Sequence, residues 1–214
     1  MRALIIKDFY NLNRYIKSMI FMITIFAVIF INSNDIEGII TVSSILFGMM
    51  IMNAFTFDDM CNWERFCLTT PIRKKDIVIS KFIILLLLSL LGLLVGFLAT
   101  ILGNLFLSKP INGEFFGTMG ILTIISFSIS LIFGSTIMPI IYKFGVEKAR
   151  NFLILSYIIP IAVGAGILKI LFLFGFVLTE KVLMIIIIFS PLIAFVWTFI
   201  MYIISLKIFE KKEF

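Results

Sequence analysis

The side chains of this chain that could do chemistry gather in one segment, where Asp58, Asp59 and Glu64 supply carboxylates and Cys61 and Cys67 supply thiols. The chain has no histidine, which excludes histidine-based acid–base catalysis and histidine metal sites. The two cysteines are six residues apart, without the C-x-x-C spacing of a redox or zinc motif. We therefore predict no catalytic residue and no metal site.

The segment with these groups, residues 58–81, is the longest polar interval of the chain. It begins acidic, has an aromatic and basic centre, turns at Pro71 and ends in a basic cluster. Residues 59–68 can form an amphipathic helix suited to a groove on a partner protein. The side chains predicted on one side of this helix are Met60, Trp63, Phe66 and Cys67. The basic cluster, which would lie at the level of anionic lipid headgroups, is Arg73, Lys74 and Lys75.

The remainder of the chain is too apolar for a water-soluble fold. Of its 214 residues, 62% are hydrophobic and 14% are charged, and the mean hydropathy is +1.20. A soluble domain is typically about half apolar and a quarter charged. The composition therefore excludes a soluble enzyme domain and a disordered chain, and it predicts an all-α polytopic membrane protein.

Six uncharged runs are long enough for a helix to cross the hydrocarbon layer, which takes about 20 residues. They predict spans at residues 18–34, 38–57, 82–107, 115–142, 151–168 and 182–206. None of the runs contains an acidic or basic side chain, although ion-driven transporters keep such groups within their spans. If the protein moves a solute uphill, we expect the energy to enter from outside the membrane.

Two further segments are predicted at the membrane surface. Residues 1–17 carry apolar side chains at three-to-four spacing, which predicts an amphipathic interfacial helix, with a solvated tail as the alternative. Its apolar positions are Met1, Ile5, Phe9, Leu12 and Ile16. Residues 169–181 contain only nine apolar residues in a row, which predicts a short outer re-entrant or interfacial helix. One long tilted helix with Lys169 reaching outwards is the alternative.

The basic residues divide unequally between the two sides of this topology. Fifteen of the 18 lysines and arginines fall on the side of the termini and of residues 58–81. Because cytoplasmic loops are enriched in lysine and arginine, we predict that both termini are cytoplasmic and that the protein lies in the plasma membrane. This asymmetry accounts for the net charge of +6 without nucleic-acid binding.

Small residues recur along the third predicted span at the spacing of one helix face: Gly92, Gly96, Thr100 and Gly103. Such faces let helices approach closely. Packing within one subunit, a dimer seam and a polar lining for a translocation path all remain open for this face.

The segment 58–81 resembles a loop of small bacterial permease subunits of type-2 ABC transporters, above all those of exporters of peptides such as phenol-soluble modulins. The shared order is an acidic pair, Trp63, Arg65, Thr70-Pro71, Arg73-Lys74-Lys75, Ile77-Val78 and Ser80-Lys81-Phe82. The arrangement of the whole chain is also similar to that of these subunits, with an amphipathic N-terminal helix and six spans.

The resemblance implies a permease without its own ATPase, paired with a second permease subunit in a homo- or heterodimer. Separate ATPase subunits would hold ATP and Mg²⁺, and no cofactor would bind to this chain. Residues 59–68 would be the coupling helix seated in an ATPase groove. The implied contacts are Asp59, Trp63, Glu64, Arg65 and Phe66, followed by a loop motif of Pro71, Arg73, Lys74, Lys75 and Lys81.

The function predicted from these features is export of a hydrophobic or amphipathic substrate, such as a peptide. The alternative is a non-transporting immunity, sensor or scaffold subunit of a membrane complex.

Overall fold

The computed structural model describes residues 2–33, 35–107, 112–173 and 179–212, except for the side chains of residues 64, 65, 68, 114, 167, 168 and 170–172. This part of the chain is helical and contains no strand, as the composition predicts. The helices are α1 (Arg2–Asn32), α2 (Gly38–Met49), α3 (Ile51–Met60), α4 (Trp63–Leu68), α5 (Lys74–Phe106), α6 (Gly113–Phe144), α7 (Val146–Asn151), α8 (Leu153–Leu173) and α9 (Glu180–Glu210).

Five stretches of the described chain are long and apolar enough to cross a bilayer. They are Arg2–Asn32, Gly38–Met60, Lys74–Phe106, Phe115–Phe144 and Glu180–Glu210. The fifth predicted span, 151–168, corresponds to α8, whose described apolar part Leu153–Gly166 is shorter than about 20 residues. The count of six spans therefore stays a prediction.

Two predicted boundaries are not breaks in the helices. α1 runs without interruption from Arg2 to Asn32, so residues 1–17 do not form a helix separate from the first span. α8 continues through Lys169 to Leu173, as in the alternative of one long helix, while residues 174–178 lie outside the described chain. A single lysine does not end an apolar helix, because it is a good helix former and its flexible stem can carry the ammonium group away.

The centre of the bundle is a close packing of α2 against α5. A Cβ atom added to Gly92 would lie 2.8 Å from the Cβ of Phe47, and one added to Gly96 would lie 2.8 Å from the Cα of Ile40. A Cβ atom added to Gly103 would lie 2.9 Å from the side chain of Ile36, which precedes α2. This face of α5 is thus occupied by α2 of the same chain, since only glycine allows the two backbones so close.

Buried hydroxyl groups join α2 and α5 to α6. The Oγ atom of Ser130 donates a hydrogen bond of 2.8 Å to the carbonyl oxygen of Ser44 on α2 and lies 3.0 Å from the Oγ atom of Ser89 on α5. The hydroxyl of Ser44 in turn donates to the carbonyl oxygen of Ser126 at 3.3 Å. These neutral hydrogen bonds satisfy polar groups that would otherwise be costly at membrane depth.

The peripheral helices expose most of their apolar side chains. In the most apolar 18-residue window of α1 and of α9, 6% of the residues are buried, compared with 61% in Gly38–Met60. Because a membrane protein presents such surfaces to lipid or to another subunit, α1 and α9 form the outer faces of this bundle.

Candidate functional site

The interval between the second and third predicted spans is shorter than the sequence indicates. α3 continues to Met60 and α5 already begins at Lys74, so Asp58, Asp59 and Lys81 all lie within helices. The prediction of one helix over residues 59–68 is wrong, because the chain turns at Asn62, which has a left-handed φ of 49°. Asparagine adopts this conformation more readily than most residues.

The six-residue helix α4 is anchored on one side and exposed on the other. Trp63 is half-buried and packs against the hydrophobic core, and Cys67 is buried there as well. Phe66, by contrast, is 60% exposed, and Met60 is 76% exposed before the turn. The prediction that these four side chains share one side is therefore wrong, since the turn at Asn62 separates Met60 from α4. The side chains of Glu64 and Arg65 lie outside the described residues.

The environments of the two thiols differ. Cys61 is exposed and Cys67 is buried, and both are free. Burial raises the pKa of the Cys67 thiol above its ordinary value. Within the described chain no group of three or more metal-ligating side chains is found.

Beneath α4 lies a cluster of two lysines and two aspartates, Lys7, Asp8, Asp58 and Lys81, which we call the charge tetrad. The Nζ atom of Lys81 lies 2.8 Å from Oδ2 of Asp8 and 2.5 Å from Oδ2 of Asp58. Lys7 pairs with Oδ1 of Asp58 and lies 3.0 Å from Oδ1 of Asp8. The ion pairs form a closed ring that joins α1, α3 and α5, and its formal charge is zero.

The charge tetrad is withdrawn from solvent. The side chains of Asp8, Lys81 and Asp58 are 1%, 3% and 6% exposed, and that of Lys7 is 22% exposed. The Nζ atom of Lys7 also lies 4.4 Å from the centre of the Trp63 ring, a cation–π contact that ties the tetrad to α4. Buried charges require such pairing, because an unpaired one would cost several kcal/mol.

The buried positions at the start of α1 match the predicted apolar face only in part. The inward positions are Leu4, Asp8 and Leu12, whereas Ile16 is 37% exposed. The predicted face of an interfacial helix, with Met1, Ile5, Phe9, Leu12 and Ile16, does not include Asp8, which is buried because it pairs with Lys81 of α5 and with Lys7. Two features of the sequence point to these buried charges. Asp8 lies four residues from both Leu4 and Leu12, and Asp58 and Lys81 each lie next to the end of an apolar run.

The residues of the predicted loop motif lie in two different environments, some exposed to solvent and others in contact with the helices of the bundle. Pro71, Arg73 and Lys75 are exposed, whereas Lys81 is buried in the tetrad. The Nζ atom of Lys74 donates hydrogen bonds to the carbonyl oxygens of Glu210 and Lys212, at 3.1 and 3.2 Å. A cation is favourable at these last carbonyls of α9, where the helix dipole is negative. The start of α5 is thus joined to the end of α9 as well as to α1.

Several long apolar helices with a small polar end define this chain as a multi-pass α-helical membrane protein. The family model described as ABC-2 family transporter protein matches residues 3–210, so the chain belongs to that family. No curated protein and no solved structure matches the chain. Family membership confirms the prediction of an ABC-type membrane permease, a transport component that associates with an ABC ATPase in the membrane.

Proposed function

We propose that this chain is the permease subunit of an ATP-driven exporter for a hydrophobic or amphipathic substrate, in particular a peptide. It pairs with a second permease subunit and is driven by separate ATPase subunits that hold ATP and Mg²⁺. Both termini lie in the cytoplasm of a cell whose plasma membrane contains the complex.

The observation that carries this proposal is the form of α4. A short helix is fixed to the bundle through Trp63 and Cys67 while its neighbouring side chain Phe66 is presented to solvent. An exposed aromatic side chain such as Phe66, on a short helix that is fixed to the bundle, is suited to fill a pocket on another protein. We assign residues 59–68 to ATPase docking, with the turn at Asn62 dividing the surface between Met60 and Phe66.

The proposed orientation is supported by the charges at one end of the bundle, which we call the α4 end. It contains the start of α1, the ends of α3, α6 and α9, the start of α5, and α7. The exposed basic residues here include Arg73, Lys75 and Lys207, as the positive-inside rule requires of the cytoplasmic side.

The proposed substrate class agrees with the surface of α5, α6 and α9. An open cavity of about 320 Å³ lies between these helices, and its lining is apolar except for Thr198 and Tyr202. Its aromatic side chains are Phe82, Phe195, Phe199 and Tyr202. A lining of this kind favours apolar or amphipathic molecules over charged solutes.

Affinity purification of the tagged chain from native membranes tests the docking role. We expect an ABC ATPase to co-purify, and we expect Phe66→Glu to reduce its recovery because a charge replaces an exposed apolar contact. Phe144→Glu is the matched control, since Phe144 is 44% exposed at the same end of the bundle but outside α4. Equal recovery with both variants, or no ATPase with the unmodified chain, would contradict the proposal.

Reconstitution of the purified complex distinguishes transport from the scaffold alternative. If the complex is an exporter, we expect amphipathic peptides to increase its rate of ATP hydrolysis in proteoliposomes. We also expect the peptides to accumulate in the lumen of inside-out vesicles. A non-transporting sensor or immunity subunit predicts neither effect.

A further inference from the structure

Docking at α4 accounts for the exposed surface of the α4 end but not for the buried charge tetrad beneath it. Three helices supply the tetrad: α1 gives Lys7 and Asp8, α3 gives Asp58 and α5 gives Lys81. These charges face one another rather than solvent. A role in binding the ATPase directly is therefore excluded for the three that are at most 6% exposed.

We propose that the charge tetrad is a rigid joint that transmits movement of α4 to α1 and so couples ATP hydrolysis to transport. This inference rests on the proposed function, because it assumes that an ATPase moves α4. The four residues are positioning residues, which act through the helices they connect.

The first argument is connectivity. Lys7 contacts both the Trp63 ring of α4 and Asp58 at the end of α3. Its neighbour Asp8 pairs with Lys81, which pairs in turn with Asp58. Displacement of α4 thus reaches α1 and α5 through direct contacts, without a mobile linker between them.

The second argument is stiffness. Moving α3 or α5 out of the ring would leave Asp58 or Lys81 buried without a partner, which is strongly unfavourable. Moving α1 away would break two of the four ion pairs, Lys7–Asp58 and Lys81–Asp8. Leu4 and Leu12, which are 5% and 2% exposed, lie one turn before and after Asp8, so the tetrad is flanked by buried apolar residues on α1. The helices are therefore expected to move together at this point rather than to slide past one another.

The third argument is that α1 has few other anchors. Its buried residues are Leu4, Asp8, Leu12 and Ile23, and three of these four lie at the tetrad. Most of the remaining apolar surface of α1 is open to lipid or to a second subunit. The tetrad is therefore the main buried anchor of the start of α1, so a displacement of the tetrad is passed directly to this helix.

The decisive variant removes the charges in a balanced way. Asp58→Asn combined with Lys81→Gln keeps polar side chains at both positions and a net charge of zero. It removes the ion pair between α3 and α5 and the pairs that both residues make with α1. In proteoliposomes we expect the ATPase to remain bound and active while substrate transported per ATP hydrolysed falls about fivefold or more. The control is Lys207→Gln, an exposed lysine on α9, with an unchanged ratio. An unchanged ratio in the double variant would overturn the inference.

A distance measurement tests the same claim with the tetrad intact. Spin labels are placed on the exposed Cys61 and on Arg14→Cys of α1, with Cys67→Ser as background, and a second pair joins Cys61 to Lys207→Cys. Between the ATP-free and ATP-trapped states we expect the first distance to stay constant and the second to change. If the distance between positions 61 and 14 changes as much as the distance between positions 61 and 207, the inference of a rigid joint is wrong.

The two proposals fail in different ways. If no ATPase co-purifies with the unmodified chain, the proposed function is wrong. If the ATPase binds and drives transport equally well in the balanced double variant, only the role of the tetrad is wrong.

Discussion

The centre of the bundle and its α4 end both hold helices together, but they do so with opposite chemistry. At the centre, α2, α5 and α6 approach through glycines such as Gly92 and through hydroxyl pairs such as Ser89 and Ser130. At the α4 end, α1, α3 and α5 are joined by four full charges. Neutral contacts are many and individually weak, whereas the ion pairs are few and mutually dependent. We infer that the centre specifies the packing and that the α4 end fixes how the helices move.

The largest expected effect is loss of one charge from the tetrad. Asp8→Asn leaves two lysines facing one carboxylate, and breaking a buried pair in this way costs about 3–5 kcal/mol. Thermal unfolding in detergent measures this loss, and Asp35→Asn, at an exposed aspartate, is the control. The double variant Asp8→Asn with Lys81→Gln restores the balance and should recover most of the stability. Equal losses in the single and double variants would show that charge balance is unimportant.

A smaller but clear effect is expected where α2 and α5 touch. In Gly92→Ala the new methyl group would lie 2.9 Å from the carbonyl oxygen of Ser43 and from the Cα of Ser44. Overpacking of this kind costs about 1–3 kcal/mol. Gly120→Ala on α6 meets nothing within 4 Å and should be neutral or slightly stabilising. A Gly92→Ala protein as stable as the Gly120→Ala protein would contradict the close packing.

Single buried hydroxyl groups should matter less than either the tetrad or the contact of α2 with α5. Ser130→Ala removes the hydrogen bond to the carbonyl oxygen of Ser44 and the contact with Ser89, with an expected loss of about 1 kcal/mol. The buried hydroxyl of Ser205 has no hydrogen-bond partner among the described residues. Ser205→Ala is therefore expected to leave the unfolding temperature unchanged or to raise it. The opposite order of the two variants would contradict this account of the centre.

The smallest effect concerns the reactivity of two thiols, that of Cys61 before α4 and that of Cys67 within α4. The thiolate is the form that reacts with maleimides, and the raised pKa of Cys67 lowers its thiolate fraction at a given pH. We expect Cys61 to be labelled in the native protein near neutral pH, while Cys67 reacts only at higher pH or after denaturation. Mass spectrometry of the labelled peptides separates the two sites. Early labelling of Cys67 would show that α4 is not packed as described.

The sequence predicted the elements of this fold better than their ends. Runs without charges identify the apolar helices because the bilayer demands them, but the helices continue beyond those runs when a charge finds a partner. The uncharged runs therefore place Asp58 and Lys81 in a loop, although both lie within helices. The spacing of Gly92 and Gly96 predicts a small-residue face on α5. The spacing does not say which helix packs on this face, and the structure shows that it is α2.

The tetrad could not be predicted because the pairs that join its three helices are distant in sequence. Asp8 and Lys81 are 73 residues apart, and neither has a local motif that indicates the other. The break at Asn62 was also missed, since asparagine is tolerated both within helices and in left-handed turns. The aromatic and basic residues of α4 indicate a helix, but they do not indicate its buried face, because Trp63 packs against the core and against Lys7 of a different helix.

The most direct test of the account is a photo-crosslink from the α4 end in intact cells. A photoreactive amino acid replaces Phe66, which is 60% exposed on α4, or Phe116, which is 56% exposed near the start of α6 at the opposite end. We predict that position 66 crosslinks to an ABC ATPase and that position 116 does not. A crosslink to the ATPase from position 116, or none from position 66 in an actively transporting complex, would contradict the claim that force enters through α4.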